Sequence, residues 1–307
     1  MNAVAKVERV MAVCVPSDLI ASALDGLAVE PIVWGGESEP PAGLDRVEFL
    51  VPRYTAGPPP VDALALLPRL RVVQLLSAGY ETWLPLIPSG VVLCNGRGIH
   101  GASTAELAVG GLISLLRQLP GFYDEQRAGR WQRRRTDSLD GRRVLVLGAG
   151  DIGGRVAAAV TALGAEATVI ARTARDGVRT LEDVDGLLAG SHAVVVALPY
   201  SERTHRLVDR DFLARMPDGA CLVNVARGAI VDTDALLAEL ERGRLRAFLD
   251  VTDPEPLPEG HPLWSAPNVL ITPHVGGGTH GWEERSARLV HDQVARYLAD
   301  EPLRNVV

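Results

Sequence analysis

Short apolar runs alternate with helical patterns along the whole 307-residue chain, and this alternation restricts the fold more than any other feature. Apolar runs bounded by turn residues read as buried strands. A first set is expected at Val10–Val15, Val47–Val51, Val72–Leu76 and Val91–Cys94. A denser and more regular set follows at Val144–Gly148, Ala167–Ala171, Ala193–Leu198, Cys221–Val225, Ala247–Val251 and Val269–Thr272. Strands separated by helices pair in parallel, because each crossover helix returns the chain to the same end of its sheet. The composition agrees: 47% hydrophobic but only 5% aromatic, which suits aliphatic strands buried on both faces.

The length suits two domains rather than one core. The polar segment GRWQRRRTDSLDGRR leads into the second strand set. Before it, Ser103 and Glu106 have capping-box spacing and open the apolar helix AELAVGGLISLLR. A last helix, from about Trp282 to Leu298, follows the final strand, so a dinucleotide-type domain is expected inside a smaller domain that uses both ends of the chain. The Ala56–Pro60 stretch, AGPPP, reads as a loop.

The net charge is −7 and the arginines are scattered apart from Arg133–Arg135 and Arg142–Arg143, so nothing favours nucleic acid or an anionic membrane surface. The apolar stretch near Leu107–Leu116 is well short of the roughly 20 residues that span a bilayer. MNAVAKVERVMAVCVP lacks the apolar region and cleavage site of a signal peptide. Cys14, Cys94 and Cys221 sit in or beside apolar strand-like runs and read as buried small hydrophobes, with no CxxC or Cys/His spacing for a metal. A reducing cytoplasm fits this usage.

Chemistry enters at VLVLGAGDIGGRVAAAV, where Gly148, Gly150 and Gly153 lie directly after an apolar strand and directly before a helix. The first glycine permits the tight turn, the second lets a pyrophosphate approach the backbone, and the third lets helix and strand pack closely. The helix N-terminus then offers free N–H groups and partial positive charge to phosphate. A second signal is CLVNVARGAIVDTDAL, in which Arg227 follows a strand at its carboxyl end, where ligands of open α/β sheets lie. Its guanidinium can hold a carboxylate or polarised carbonyl in a fork, or pair with a neighbour such as Asp232. The third is LDVTDPEPLPEGHPLWSAPNVLITPHVGGGT. Glu255 follows one strand and His274 the next, so parallel neighbours bring both to one sheet edge. A carboxylate beside an imidazole orients it and raises its pKa, which makes a proton donor for a ketone.

With these segments in view, the chain resembles the D-isomer-specific 2-hydroxyacid dehydrogenase family. The resemblance rests on Ser77-Ala-Gly79, STAELA, GAGDIGG, ALPYSERTHRLVD, NVARGAIVDTDAL, LDVTDPEPLP and TPHVGG, in family order over nearly the whole chain. It implies an α/β fold of two Rossmann-like domains with doubly wound parallel sheets. The dinucleotide-binding domain (99–276) is inserted in a flavodoxin-like substrate domain (1–98 and 277–307). It implies an NAD(P)-dependent oxidoreductase acting on CH–OH groups, with Arg227 binding substrate, His274 as acid/base and Glu255 as its partner. The backbone at Ala78 and Gly79 would hold the substrate carboxylate. Thr104 and Gly276 would lie by the cofactor, Asp151 and Ile152 would present amides to the pyrophosphate, and Leu198, Pro199 and Thr204 would line the adenosine side. Val225, Ala226 and Asp250 would flank the nicotinamide.

The expected reaction moves a hydride between the nicotinamide and a small 2-oxo acid such as glyoxylate or hydroxypyruvate, with phenylpyruvate-like acids as an alternative. A dinucleotide-sensing, corepressor-like binding protein would keep the same fold without turnover. A methyltransferase would share the glycine loop but would not need Arg227, Glu255 and His274. Two departures matter. Tyr80-Glu81 replaces the frequent Val-Asp after Gly79. The second strand of the nucleotide domain ends on Ala171, Arg172 and Thr173, with Arg175 beyond and no carboxylate until Asp176. NAD-preferring relatives carry an acid there for the ribose 2′-OH. Arginines pair instead with a 2′-phosphate, so NADP is expected over NAD. Family members pack the helix from Ser103 to Arg117 against a partner. Here Leu107, Ala108, Val109, Leu112, Ile113 and Leu115 make it apolar over most of its surface, which points to a homodimer.

Overall fold

The computed structural model describes residues 10–36, 39–54, 61–175 and 177–307. The Ala56–Pro60 loop and Asp176 lie outside the described residues. The chain divides into two compact units, Met1–His100 with His280–Val307, and Gly101–Thr279.

The first unit is built from β1 (Met11–Val15), α1 (Asp18–Ser22), β2 (Val29–Val33), β3 (Val47–Leu50), α2 (Val61–Ala65), β4 (Val72–Gln74) and β5 (Val92–Cys94). Its sheet has the order β2-β1-β3-β4-β5 with every pair parallel, the flavodoxin-like arrangement. Strand periodicity explains why both faces are apolar. Val13, Val15 and Phe49 enter one core, while Ala12, Cys14 and Leu50 enter the other.

The second unit runs α3 (Gly101–Leu116), α4 (Leu119–Arg127), β6 (Arg143–Leu147), α5 (Asp151–Ala162), β7 (Glu166–Ala171), β8 (Val178–Thr180), α6 (Val184–Leu188), β9 (Ala193–Val196), α7 (Arg210–Arg215), β10 (Cys221–Asn224), α8 (Thr233–Glu241), β11 (Arg246–Leu249) and β12 (Val269–Ile271). The sheet order β12-β11-β10-β9-β6-β7-β8 reverses between β6 and β9, the switch point of a Rossmann sheet. Leu145, Leu147, Val194, Val196 and Leu222 pack on the face of α7 and α8, while Val144, Val146, Val195, Val223 and Phe248 pack on the face of α3 and α5. The chain then returns to the first unit as α9 (Trp282–Leu298), which buries Val290 and Val294 against its sheet. Fully buried Gln293 ties α9 to Gln74 at 2.7 Å and to the backbone of Arg304.

Three features depart from the sequence pattern. Strands β2 and β8 were not anticipated, and both lie at sheet edges. Helix α3 begins at Gly101, two residues before the capping-box serine. A Cβ at position 101 would stand 1.7 Å from Asp151 Oδ2, so the glycine lets α3 start directly against the Asp151 carboxylate of α5. Most of the apolar surface of α3 is also used inside its own unit: Ala105, Ala108, Val109, Leu112, Leu115 and Leu116 are buried, and Leu107 and Ile113 pack partly against the same core. Its apolar character therefore does not by itself require a partner. All three cysteines are free and buried, and burial pushes the Cys14 thiol up to about 12 and those of Cys94 and Cys221 to about 11.

Candidate active site

The glycine loop leaves β6 at the switch point and enters α5. Gly148 has φ +123°, and a Cβ there would lie 2.3 Å from the carbonyl oxygen of Ala197. A Cβ on Gly153 would lie 1.8 Å from the carbonyl oxygen of Gly148. Gly150, the residue before α5, has nothing within 4 Å of its missing Cβ, so that side of the turn is open. Two glycines thus serve packing, and the third leaves room for a ligand beside the first amides of α5, at Asp151 and Ile152. These residues fit the pyrophosphate of a dinucleotide.

The other positions expected on the nucleotide side follow strands of the same sheet or lie in the first turn of α3. Arg172 and Thr173 follow β7 and are exposed. Arg175 donates from Nη2 to the carbonyl of Ala149 in the glycine loop at 3.1 Å. Leu198 and Pro199 follow β9. Thr204 is buried and spends its hydroxyl within their turn, accepting from the Ser201 amide at 2.8 Å and donating to the Pro199 carbonyl at 3.0 Å. Thr104, in the first turn of α3, is buried against Gly276: a Cβ on that glycine would stand 3.1 Å from its methyl.

The chemical residues stand at the carboxyl ends of the adjacent parallel strands β10, β11 and β12. After β10, Val225 and Ala226 are buried and Arg227 is half-buried, its Nη1 donating to the Ala226 carbonyl at 2.7 Å. Gly228 follows because a Cβ there would meet the Thr252 carbonyl oxygen at 1.9 Å. Asp232, the other candidate partner for Arg227, caps α8 through the Ala235 amide and lies 3.8 Å from Arg206. Asp250 follows β11 and is 2% exposed. Glu255 lies beyond it between two cis prolyl bonds. His274 follows β12, and its Nδ1 lies 2.5 Å from Glu255 Oε1.

The electrostatics follow from this pairing. The hydrogen bond to Glu255 raises the His274 pKa above its ordinary 6.5; burial opposes the rise, and the Arg227 charge also lowers it. The same bond holds the Glu255 carboxyl below its ordinary 4.5 against the opposing effect of burial. Arg227 acts on both groups, so the guanidinium, carboxylate and imidazole form one electrostatic cluster. In the first unit, Ala78 and Gly79 lie in a turn after β4, where Ser77 Oγ donates to the Gly79 carbonyl at 2.6 Å. Gly96 supports that turn: its amide donates to the Ser77 carbonyl at 2.6 Å, and a Cβ there would lie 2.5 Å from Leu76.

Sequence reasoning missed two residues of this edge. Asn224 is 1% exposed, and its side chain accepts from the Ala226 amide at 3.1 Å and donates to the Arg227 carbonyl at 3.0 Å, fixing the backbone that carries Arg227. An asparagine closing the apolar run CLVN was a readable signal, since a buried amide must find partners. Thr272 donates to Asp250 Oδ1 at 2.6 Å, and nothing local in the sequence announced it.

Comparison with known proteins agrees with this geometry. The model of the D-isomer specific 2-hydroxyacid dehydrogenase NAD binding domain matches residues 109–276. The glyoxylate/hydroxypyruvate reductase B of Pectobacterium atrosepticum is 31% identical over 261 residues, covering 80% of this chain and 81% of that protein. A D-3-phosphoglycerate dehydrogenase of Archaeoglobus fulgidus is 30% identical over 89% of this chain, which spans 55% of that relative. The crystal structure of a D-isomer specific 2-hydroxyacid dehydrogenase from Xanthobacter autotrophicus Py2, in complex with NADPH and MES, superposes with a TM-score of 0.84 at 31% identity, over 96% of this chain and 97% of that one. This chain belongs to the D-isomer specific 2-hydroxyacid dehydrogenase family and is an NAD(P)-dependent oxidoreductase.

Proposed function

We propose that this enzyme reduces a small 2-oxo acid, glyoxylate or hydroxypyruvate, using NADPH. The observation that carries the reading is the 2.5 Å His274–Glu255 pair, standing with Arg227 at the edge of three adjacent strands in the unit that bears the glycine loop. The nicotinamide supplies the hydride when bound. His274, whose protonated form is favoured by Glu255, gives its proton to the ketone oxygen. Arg227 binds the substrate carboxylate or carbonyl through its fork; the family resemblance assigns the backbone at Ala78 and Gly79, in the first unit, to substrate binding. The name of the Pectobacterium relative supports the small substrates.

We assign Gly101–Thr279 as the dinucleotide domain and the other unit as the substrate domain. Arg172, Arg175 and Thr173 would receive the 2′-phosphate, Leu198, Pro199 and Thr204 the adenosine side, and Thr104, Val225, Ala226, Asp250 and Gly276 the nicotinamide side. Support for NADP comes from the two arginines, the Arg175 contact with the glycine loop, and the NADPH in the Xanthobacter structure. A cytoplasmic homodimer is the assembly we propose. Its support is an exposed apolar surface beside α3, where Leu119 is 48%, Tyr123 57% and Trp131 93% exposed. Among the described residues, no helix is long and apolar enough to cross a membrane.

The test is a panel of 2-oxo acids with NADPH and NADH, followed at the nicotinamide absorbance. Turnover of glyoxylate or hydroxypyruvate with NADPH is expected, and His274→Ala should lower kcat by roughly 10²–10⁴ without changing cofactor binding. Dinucleotide binding with no turnover of any oxo acid would leave a sensing protein. Near-normal turnover in the variant would remove His274 from the mechanism.

A further inference from the structure

Asp250 is engaged by one short stretch of chain. Its Oδ1 accepts from Thr272 Oγ1 at 2.6 Å and from the Val275 amide at 2.9 Å, and its Oδ2 accepts from the Gly276 amide at 2.9 Å. The backbone carbonyl of the same residue accepts from the His274 amide at 2.8 Å. Four donors between residues 272 and 276 therefore converge on a single residue that is 2% exposed. His274 sits among them with φ +52°, the left-handed region that costs free energy in a residue other than glycine. Its neighbours Pro273 and Val275 are exposed, so side-chain packing contributes little to holding the loop. Such a conformation persists only where the surroundings over-determine it, and here hydrogen bonds to a carboxylate do so. Gly276 completes the arrangement, since a Cβ there would lie 2.9 Å from Asp250 Oδ2.

We propose that Asp250 and Thr272 form a clamp that holds His274 in position for proton transfer. This role for Asp250 is separate from any contact with the cofactor; Thr272 reaches Asp250 through its hydroxyl, and its carbonyl also accepts from the His274 amide at 3.0 Å. The proposal rests on reading His274 as the acid/base. Without the clamp the loop relaxes toward an ordinary backbone conformation and carries the imidazole away from Glu255. The charged groups that face His274 are Glu255, Arg227 and Asp250. Loosening the loop weakens the contact with the first of them, which is the one that chiefly raises the imidazole pKa.

The test is Thr272→Val, which keeps the shape and removes the donor, compared with Thr272→Ser, which keeps the donor. Steady-state oxo-acid reduction is measured across pH, with NADPH affinity by fluorescence titration. The Val variant should lose roughly 10- to 100-fold in kcat, the scale of a misplacement of about 1 Å. Its decline with rising pH should move to lower pH, while NADPH affinity stays within about twofold. The Ser variant should match wild type. If the Val variant does not fold, Thr272→Cys carries the same expectation, because the thiol is a weak donor on a side chain no smaller than serine. Wild-type kcat and pH profile in the donor-less variant would overturn the clamp, as would a loss that serine fails to restore. The two readings fail separately: an active His274→Ala enzyme removes the acid/base itself, whereas an inactive one beside an unaffected Thr272→Val removes only the clamp.

Discussion

At the scale of single residues, the His274–Glu255 pair carries two pKa shifts of opposite sign. The folded pKa of His274 is raised, so its contribution to stability is fully present below the ordinary imidazole value of 6.5 and is lost as pH rises through the raised value. The folded pKa of Glu255 is lowered, so its contribution is present above the ordinary carboxyl value of 4.5 and is lost as pH falls through the lowered one. Both side chains are partly exposed, 46% and 39%, so water screens the pair and its contribution to stability is small. In the proposed mechanism oxo-acid reduction needs the imidazolium, so it should decline as pH rises through the raised pKa of His274. Glu255→Gln removes the main cause of the raised value, so that decline should come at lower pH. A kcat/KM profile against pH reads it directly, and an unshifted profile would show that another group sets the limb.

At the scale of elements, helix α3 carries two adjacent glycines with opposite duties. Gly111 faces the sheet, where a Cβ would stand 2.3 Å from the Phe248 ring. Phe248 is 1% exposed and among the largest fully buried side chains, so it has nowhere to retreat. Gly111→Ala should destabilise the protein by about 1–3 kcal/mol through overpacking. Gly110 is exposed within the subunit, with nothing within 4 Å of its missing Cβ. Gly110→Ala should stabilise α3 by about 0.5–1 kcal/mol, because alanine costs less backbone entropy in a helix. Denaturant titration of both variants gives the two signs. A destabilising Gly110→Ala would indicate that a partner subunit occupies the space beside it.

At the scale of the whole molecule, the cofactor should act as a folding ligand. A ligand at 100 times its Kd stabilises the state it binds by about 2.7 kcal/mol. With Arg172 and Arg175 receiving the 2′-phosphate, NADPH should raise Tm more than NADH at equal concentration, and Arg172→Asp should narrow or reverse the difference. Equal protection by the two cofactors in the wild-type protein would mean that the arginines do not read the phosphate. Light scattering at micromolar concentration should give the mass of a dimer, twice the 32.8 kDa of one chain; Trp131→Glu, which puts a charge on a side chain 93% exposed in one subunit, should shift it toward monomer.

Much of this was legible in the sequence. The ten anticipated strands appear within two residues of their expected ends, because a buried strand declares itself by composition and period. The glycine loop was legible for the same local reason: Gly148 and Gly153 answer steric demands made within a few residues of chain or by the neighbouring strand, and Gly150 leaves open space before α5. The two missed strands had no such signature. Strand β2 contains Pro31, which a sheet tolerates only where a backbone amide can go unpaired, and β8 is a three-residue segment, VRT, without a buried position. Only the sheet order made them edges.

The sequence by itself determined the two parallel sheets, the turn that can receive a pyrophosphate, and the strand ends that carry Arg227, Glu255 and His274. Those properties follow from the period of a strand and the turn chemistry of glycine and proline, which act over a few residues. Tertiary structure alone decided where α3 begins, how much of its apolar face stays inside the subunit, and that the Asp250 carboxylate gathers the chain around His274. Each of these depends on residues far apart in sequence: Gly101 against Asp151, Gly111 against Phe248, and Asp250 against Thr272. Such contacts exist only once α3 lies against α5 and the sheet, and once β11 and β12 lie side by side. No local pattern encodes that adjacency, because it is set by which apolar faces can be buried together.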